Sequence, residues 1–382
     1  MGPPTKPRQT PLARLARFWR VKPCCSDAVS HDTGWHGGLT VTTEHANNGT
    51  YLAGPRRDGC ACGRKLNCSY KPIDRINPGI RRRCGDQKGK QMPPYGEKII
   101  VLGATGKQGG AVVRHLLSGG FTKIHALVRA DAADLRQLRL DKRITLDIGD
   151  LDDGASLDAA MAGAYGVFSV MPLDRYGPEA EIRRGQSVAD AASRVGVGHF
   201  IYSSSGGADR PEGVPHFRTK YVIEQYVREL GLPASVLRPA LLMENFTTFE
   251  RPRLDGGAAV FRAAVHPKTR RQMVAVEDIG MIAADFLGHP DESIGQTLEI
   301  AGDELTGPEV AETYTEITGQ PALFEEQPIE EVRAFDADFA AMFDWVNKHS
   351  FGADIGKLQE LYPGLSTFAS WLREHTPGVM PQ

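Results

Sequence analysis

A glycine-rich turn between a buried strand and an amphipathic helix constrains this chain more than any other feature. Lys98-Ile-Ile-Val-Leu102 is a short apolar run, suited to a strand covered on both faces. Gly103-Ala104-Thr105-Gly106-Lys107-Gln108-Gly109 follows directly. Ala111–Leu117 then pairs Val112 with Leu116 and Val113 with Leu117 at helical spacing. In such a turn the first glycine permits the tight bend, the second lets the backbone approach a pyrophosphate, and the third lets strand and helix touch. Open N–H groups and the helix dipole then favour an anion. No Gly-Lys-Ser/Thr occurs, so a Walker-type phosphate loop is excluded and a dinucleotide is the expected ligand.

Strand and helix patterns keep alternating after this unit. Strands are predicted at 123–128, 144–146, 166–170, 199–203, 235–237 and 296–300. Helices are predicted at 132–138, 157–161, 179–195, 218–230, 279–287 and 308–318, with further helices at 329–346, 355–361 and 365–374. Strict alternation implies an α/β fold with a doubly wound parallel sheet, followed by a smaller, mostly helical C-terminal region. The expected division is a dinucleotide domain over 92–240 and a substrate or partner region over 241–382 that returns some elements to the sheet.

Residues 1–91 differ in kind. They carry 17 Lys and Arg against 6 Asp and Glu, whereas residues 92–382 carry 28 against 41. All six cysteines lie in the first stretch. Without apolar periodicity it lacks material for a core, so a disordered basic extension is expected. Met92 stands six residues before the first strand and offers a second start, from which residues 1–91 would not be made. The spacing Cys60-x-Cys62 is too short for a structural zinc pair, and no metal is expected. The acidic remainder would repel phosphate chains, so nucleic acid is not an expected partner. No membrane-spanning run and no export signal occur, which points to the cytoplasm.

Two positions speak to the kind of dinucleotide. NAD binders place an acid at the end of the second strand, to accept from the ribose 2′-hydroxyl. Here Val128 runs into Arg129, which suits a 2′-phosphate, so NADP(H) is favoured over NAD(H). Asp150, in Gly149-Asp150-Leu151-Asp152-Asp153, is expected near the adenine, with Asp153 capping the next helix. His216 and Lys220 share a helix face at i,i+4. They suit proton exchange and a ribose contact, or a solvated helical surface; spacing alone leaves both open. Asp278 reads as a helix N-cap, and Glu325-Glu326 and Glu330-Glu331 as solvated surface.

From about Lys98 to His375 the chain resembles the NmrA-like family of atypical short-chain dehydrogenase/reductases. The resemblance rests on Gly103–Gly110, Val128-Arg129, Gly149–Asp153, His216-Phe-x-x-Lys220, Val222–Tyr226, Arg238-Pro239 and Glu244-Asn245-Phe246. It implies a Rossmann fold that binds NADP(H) through Gly103–Gln108, Arg129 and Lys220. Leu242, Met243, Glu244 and Asn245 would line the nicotinamide end. Ordinary members of the wider group use Tyr-x-x-x-Lys as proton donor. His216 stands at the tyrosine position, and the segment is most similar to redox-sensor members. The resemblance therefore implies an NADP(H)-binding regulator with weak or no catalysis and a protein partner. The alternative is an NADPH-dependent reductase of quinones or similar small acceptors, with Lys220 in a catalytic role and His216, Ser204 or a water as proton donor. A homodimer is left open.

Overall fold

The computed structural model describes residues 94–129, 135, 138, 141–171 and 177–376. The predicted extension over 1–91 and most of the helix predicted at 132–138 lie outside them. Seven strands form one parallel sheet: β1 (Lys98–Leu102), β2 (Lys123–Val128), β3 (Ile144–Ile148), β4 (Gly166–Val170), β5 (His199–Ser203), β6 (Ala234–Pro239) and, much later in the chain, β11 (Thr297–Ile300). Their order is β11-β6-β5-β4-β1-β2-β3, and every neighbouring pair is parallel. Order reverses between β1 and β4. In open α/β sheets, ligands bind at such a switch, outside the carboxyl ends of the strands.

Helices cover both faces. α1 (Lys107–Ser118) and α5 (Val276–Gly288) lie on one side. α2 (Gly154–Met161), α3 (Pro178–Val195) and α4 (Pro215–Glu229) lie on the other. The strands between them are therefore near-continuous apolar runs rather than alternating ones. A Cβ on Gly280 would lie 2.6 Å from the Ala111 carbonyl carbon, so glycine there lets α5 touch the α1 backbone.

The C-terminal region adds two small sheets that no alternation in the sequence announces. One orders β12 (Asp303–Leu305), β10 (Arg271–Val274) and β7 (Leu241–Leu242). The other orders β13 (Ala322–Glu326), β9 (Ala258–Ala263) and β8 (Arg253–Asp255). The remaining helices are α6 (Pro290–Ser293), α7 (Gly307–Thr318), α8 (Ile329–Phe335), α9 (Ala337–Val346), α10 (Ile355–Leu361) and α11 (Phe368–His375). Met243, Phe261, Met273, Phe368 and Trp371 form a third apolar core there.

Two local predictions need correction. The helix expected over 329–346 is two helices, because Asp336 takes an extended backbone and its carboxylate caps Asp338 N–H and Phe339 N–H at 2.9 and 3.1 Å. Asp278 is not an N-cap. Ala275 holds that position, and Val276 N–H instead donates to Glu244, 3.2 Å from each carboxylate oxygen. With the helix start capped from another element, the Asp278 carboxylate is free to accept Ser366 N–H at 2.9 Å and Ser366 Oγ–H at 3.2 Å. Burial pushes the Asp278 carboxyl up to about 6, against the pull of the Ser366 hydrogen bonds. Asp153 does cap α2, accepting from Ala155 N–H at 3.0 Å.

Candidate functional site

The glycine turn joins β1 to α1 at the switch point. Gly103 has φ +65°, a conformation L side chains rarely adopt. A Cβ on Gly109 would lie 2.3 Å from the Gly103 carbonyl oxygen, so no side chain fits where α1 leaves the strand. Gly106 N–H donates to Gly103 O at 2.8 Å, which closes the turn. α1 starts at Lys107, four residues before the predicted start, with no side-chain cap and no acid in its first turn. That leaves its first N–H groups to an anion, and the residues present fit a dinucleotide pyrophosphate. Ala104 is buried, Thr105 is exposed, and Gln108 accepts the Ser203 hydroxyl at 2.6 Å, which ties the turn to the end of β5.

Arg129 is exposed at the carboxyl end of β2, where the sequence places a 2′-phosphate contact. Asp150 is exposed beyond β3 and accepts Asp152 N–H at 3.0 Å. Leu151 leans on the second core. Asp152 pairs with Arg184 and Arg183 of α3 at 2.6 and 3.0 Å.

Lys220 reaches inward to the end of β4. Its ammonium donates to the Met171 carbonyl and pairs with Glu181 Oε1 at 2.7 Å, both side chains buried. Thr219 Oγ donates to Glu181 Oε2 at 2.9 Å. One turn on, Glu224 is fully buried and accepts from Ser204 Oγ at 2.6 Å and from Arg238 Nε and Nη2 at 3.0 and 2.8 Å. The Ser204 hydroxyl is thereby turned inward. Tyr202 does not replace the missing tyrosine. Its hydroxyl is sealed without a partner among the described residues. Burial pushes it far above the usual phenol range, reinforced by the charges of Glu181 and Glu224.

His216 opens α4 and turns toward α9. Its Nδ1 lies 2.9 Å from each oxygen of Asp338, and its backbone N–H is 3.3 Å from Asp338 Oδ1. Burial raises the Asp338 carboxyl, but the hydrogen bonds and charge of His216 outweigh it and hold the carboxyl below its usual range. A carboxylate facing Nδ1 orients the ring and favours a proton on that nitrogen.

The Leu242–Asn245 segment divides. Leu242 is half-buried on β7, while Met243 is buried in the third core. The Glu244 carboxylate is occupied by Val276 N–H and by Trp371 Nε1–H at 3.0 Å, and its carbonyl accepts Lys107 Nζ at 3.3 Å. Burial lowers the Lys107 ammonium, and the Glu244 charge partly restores it. Asn245 is half-buried, and its carbonyl accepts Thr248 N–H and Glu250 N–H at 3.0 Å. A cavity of about 710 Å³ lies elsewhere, along β11 and α10, and none of the predicted site residues lines it. Its charged groups pair among themselves, as in Arg210–Glu299 and Arg238–Asp209. Among the described residues no group of three His, Cys, Asp or Glu side chains could hold a metal ion, and no helix is long and apolar enough to cross a membrane.

The sequence model of the NmrA-like family matches residues 96–372. The chain belongs to the NmrA-like family. It is 25% identical over 300 residues to an NmrA-like family domain-containing protein of Dictyostelium discoideum, covering 73% of this chain and 97% of that one. Two solved structures share the fold. NmrA, a negative transcriptional regulator in complex with NADP, superposes with TM-score 0.62 at 21% identity, covering 74% of this chain and 96% of that one. The NADPH-dependent quinone oxidoreductase of Escherichia coli, in complex with NADPH, superposes with TM-score 0.63 at 22% identity, covering 72% and 99%. Both of those structures hold a dinucleotide, NADP in the first and NADPH in the second. Sequence reasoning missed Glu181, Asp338 and the buried Glu224. Only Glu224 carried a signal, since it follows Lys220 at i,i+4 and so shares its inward face.

Proposed function

We propose that this chain binds NADP(H) in preference to NAD(H) and reduces quinones or similar small acceptors, with His216 as the proton donor. The observation that carries this reading is the His216–Asp338 pair. The sequence leaned toward a regulator because the tyrosine donor is absent. An imidazole oriented by a carboxylate at that position supplies what was missing. NADPH, when bound, supplies hydride, and a quinone becomes a hydroquinone by taking one hydride and one proton. Asp338 fixes the Nδ1 proton, so the proton passed to the acceptor oxygen leaves Nε2 and is replaced from solvent. Lys220 has three N–H donors. One is used on Met171 O, the ammonium also pairs with Glu181 Oε1 at 2.7 Å, and a further donor serves a ribose hydroxyl.

A second reading, a redox-sensing regulator with a protein partner, is favoured by the Lys220–Glu181 pair. Glu181 neutralises the ammonium that would otherwise acidify a proton donor. NADPH oxidation by the full chain, with menadione as acceptor, separates the two. Turnover is expected, and His216→Ala is expected to lower it by about 100-fold or more while NADPH affinity stays within about twofold. Tight NADPH binding without turnover on any quinone would contradict the reductase and leave the regulator.

A further inference from the structure

The segment after Asn245 holds a large apolar ring out of the core. Phe249 is 54% exposed. Its neighbours on both sides are anchored. Phe246 packs edge-on against Phe261, with ring centroids 5.9 Å apart, and is tilted against Phe368 at 5.0 Å. Glu250 is buried and paired with the buried Arg271 at 2.8 Å, and Thr248 N–H and Glu250 N–H both return to the Asn245 carbonyl. A segment fixed this firmly does not leave a phenylalanine outside through looseness. Among the described residues the Phe249 ring meets one other aromatic, Phe339, with centroids 5.3 Å apart and planes at 59°.

Phe339 is the residue after Asp338, on the first turn of α9. The same helix turn therefore carries the carboxylate that orients His216 and the ring that backs Phe249. That turn is rigid: Asp336 caps it, and Asp338 grips both the imidazole and the backbone of α4. The two rings and the His216–Asp338 pair are thus joined through adjacent residues of one helix turn. Aromatic faces stack favourably on conjugated rings, beyond the gain from the area they bury.

We propose that Phe249 and Phe339 form the acceptor wall of this site and set its preference for fused, flat, conjugated acceptors over single-ring ones. The proposal rests on the reductase reading above. Phe249 being exposed, its replacement leaves the fold intact.

The test uses the full chain, wild type and with Phe249→Ala, Phe339→Ala and Phe249→Leu. kcat/KM is measured for 1,4-naphthoquinone and 1,4-benzoquinone, and calorimetry follows 1,4-naphthoquinone binding to the NADP+-loaded protein. Phe249→Ala is expected to cut kcat/KM for the two-ring quinone and its affinity by about tenfold. The one-ring rate should fall less, by about threefold, and NADP+ affinity should stay within about twofold. Phe249→Leu, apolar but without a ring, should recover only part of the loss. Equal loss on both quinones, or none on either, would overturn the wall. A wild-type protein that turns over neither quinone, yet binds naphthoquinone tenfold more tightly than Phe249→Ala, would uphold the wall and defeat the reductase reading. Absence of both turnover and naphthoquinone binding would defeat both.

Discussion

Gly109→Ala is expected to lower NADPH affinity about a hundredfold, equivalent to two steps of 1.4 kcal/mol, and to cost about 1–3 kcal/mol of stability as an overpacked site does. The added Cβ would lie 2.3 Å from the Gly103 oxygen and 2.4 Å from its carbon. Both are backbone atoms and cannot swing aside. Relief must come from moving α1 away from β1, which opens the turn that presents the N–H groups. Gly110→Ala is the control. There the Cβ would meet its nearest atoms at 3.4 Å, so binding should be retained. Calorimetry with NADPH and a urea titration of each variant measure both effects. A Gly109→Ala protein that binds NADPH like the wild type would show that the dinucleotide does not use this turn.

Glu224→Ala is expected to destabilise the protein by about 3–5 kcal/mol. Glu224 is fully buried between Ser204 and Arg238, and Arg238 is itself 6% exposed. Removing the carboxylate strips Arg238 Nε and Nη2 of their partners and leaves, among the described residues, only Asp209, 2.7 Å from Nη1, on a side chain that is 41% exposed. A desolvated guanidinium with half its donors unmet carries the cost. The double variant Glu224→Leu with Arg238→Met removes both charges together and should recover at least half of the loss. The urea midpoint reads this directly. A Glu224→Ala protein within about 1 kcal/mol of wild type would mean that Arg238 reaches solvent and that the pair is not sealed.

The sheet was legible where burial on both faces writes one continuous apolar run. β1, β2, β4 and β5 match their predicted bounds for that reason. The glycine turn was legible because its three glycines answer three local demands. The small C-terminal sheets were not. β8 is exposed along its whole length, and β12 is three residues of intermediate burial, so neither shows alternation or a buried run. The break at Asp336 hides because an aspartate inside a helical pattern looks like a solvated surface until its backbone is seen to extend. The candidate site was half legible. Gly103–Gly109, Arg129 and Lys220 come from local motifs. The Asp338 that orients His216 lies 122 residues away, and the Glu244 that caps Val276 lies 32 away, distances no local pattern spans.

The proposed site takes NADP(H) through the glycine turn and Arg129. Calorimetry of the full chain with NADP+, NADPH, NAD+ and NADH tests it most directly. NADP+ and NADPH should bind at least about tenfold more tightly than NAD+ and NADH, a margin of about 1.4 kcal/mol, and Arg129→Ala should erase the difference. Equal affinity for all four would contradict the Arg129 assignment, and no binding of any would contradict the site itself.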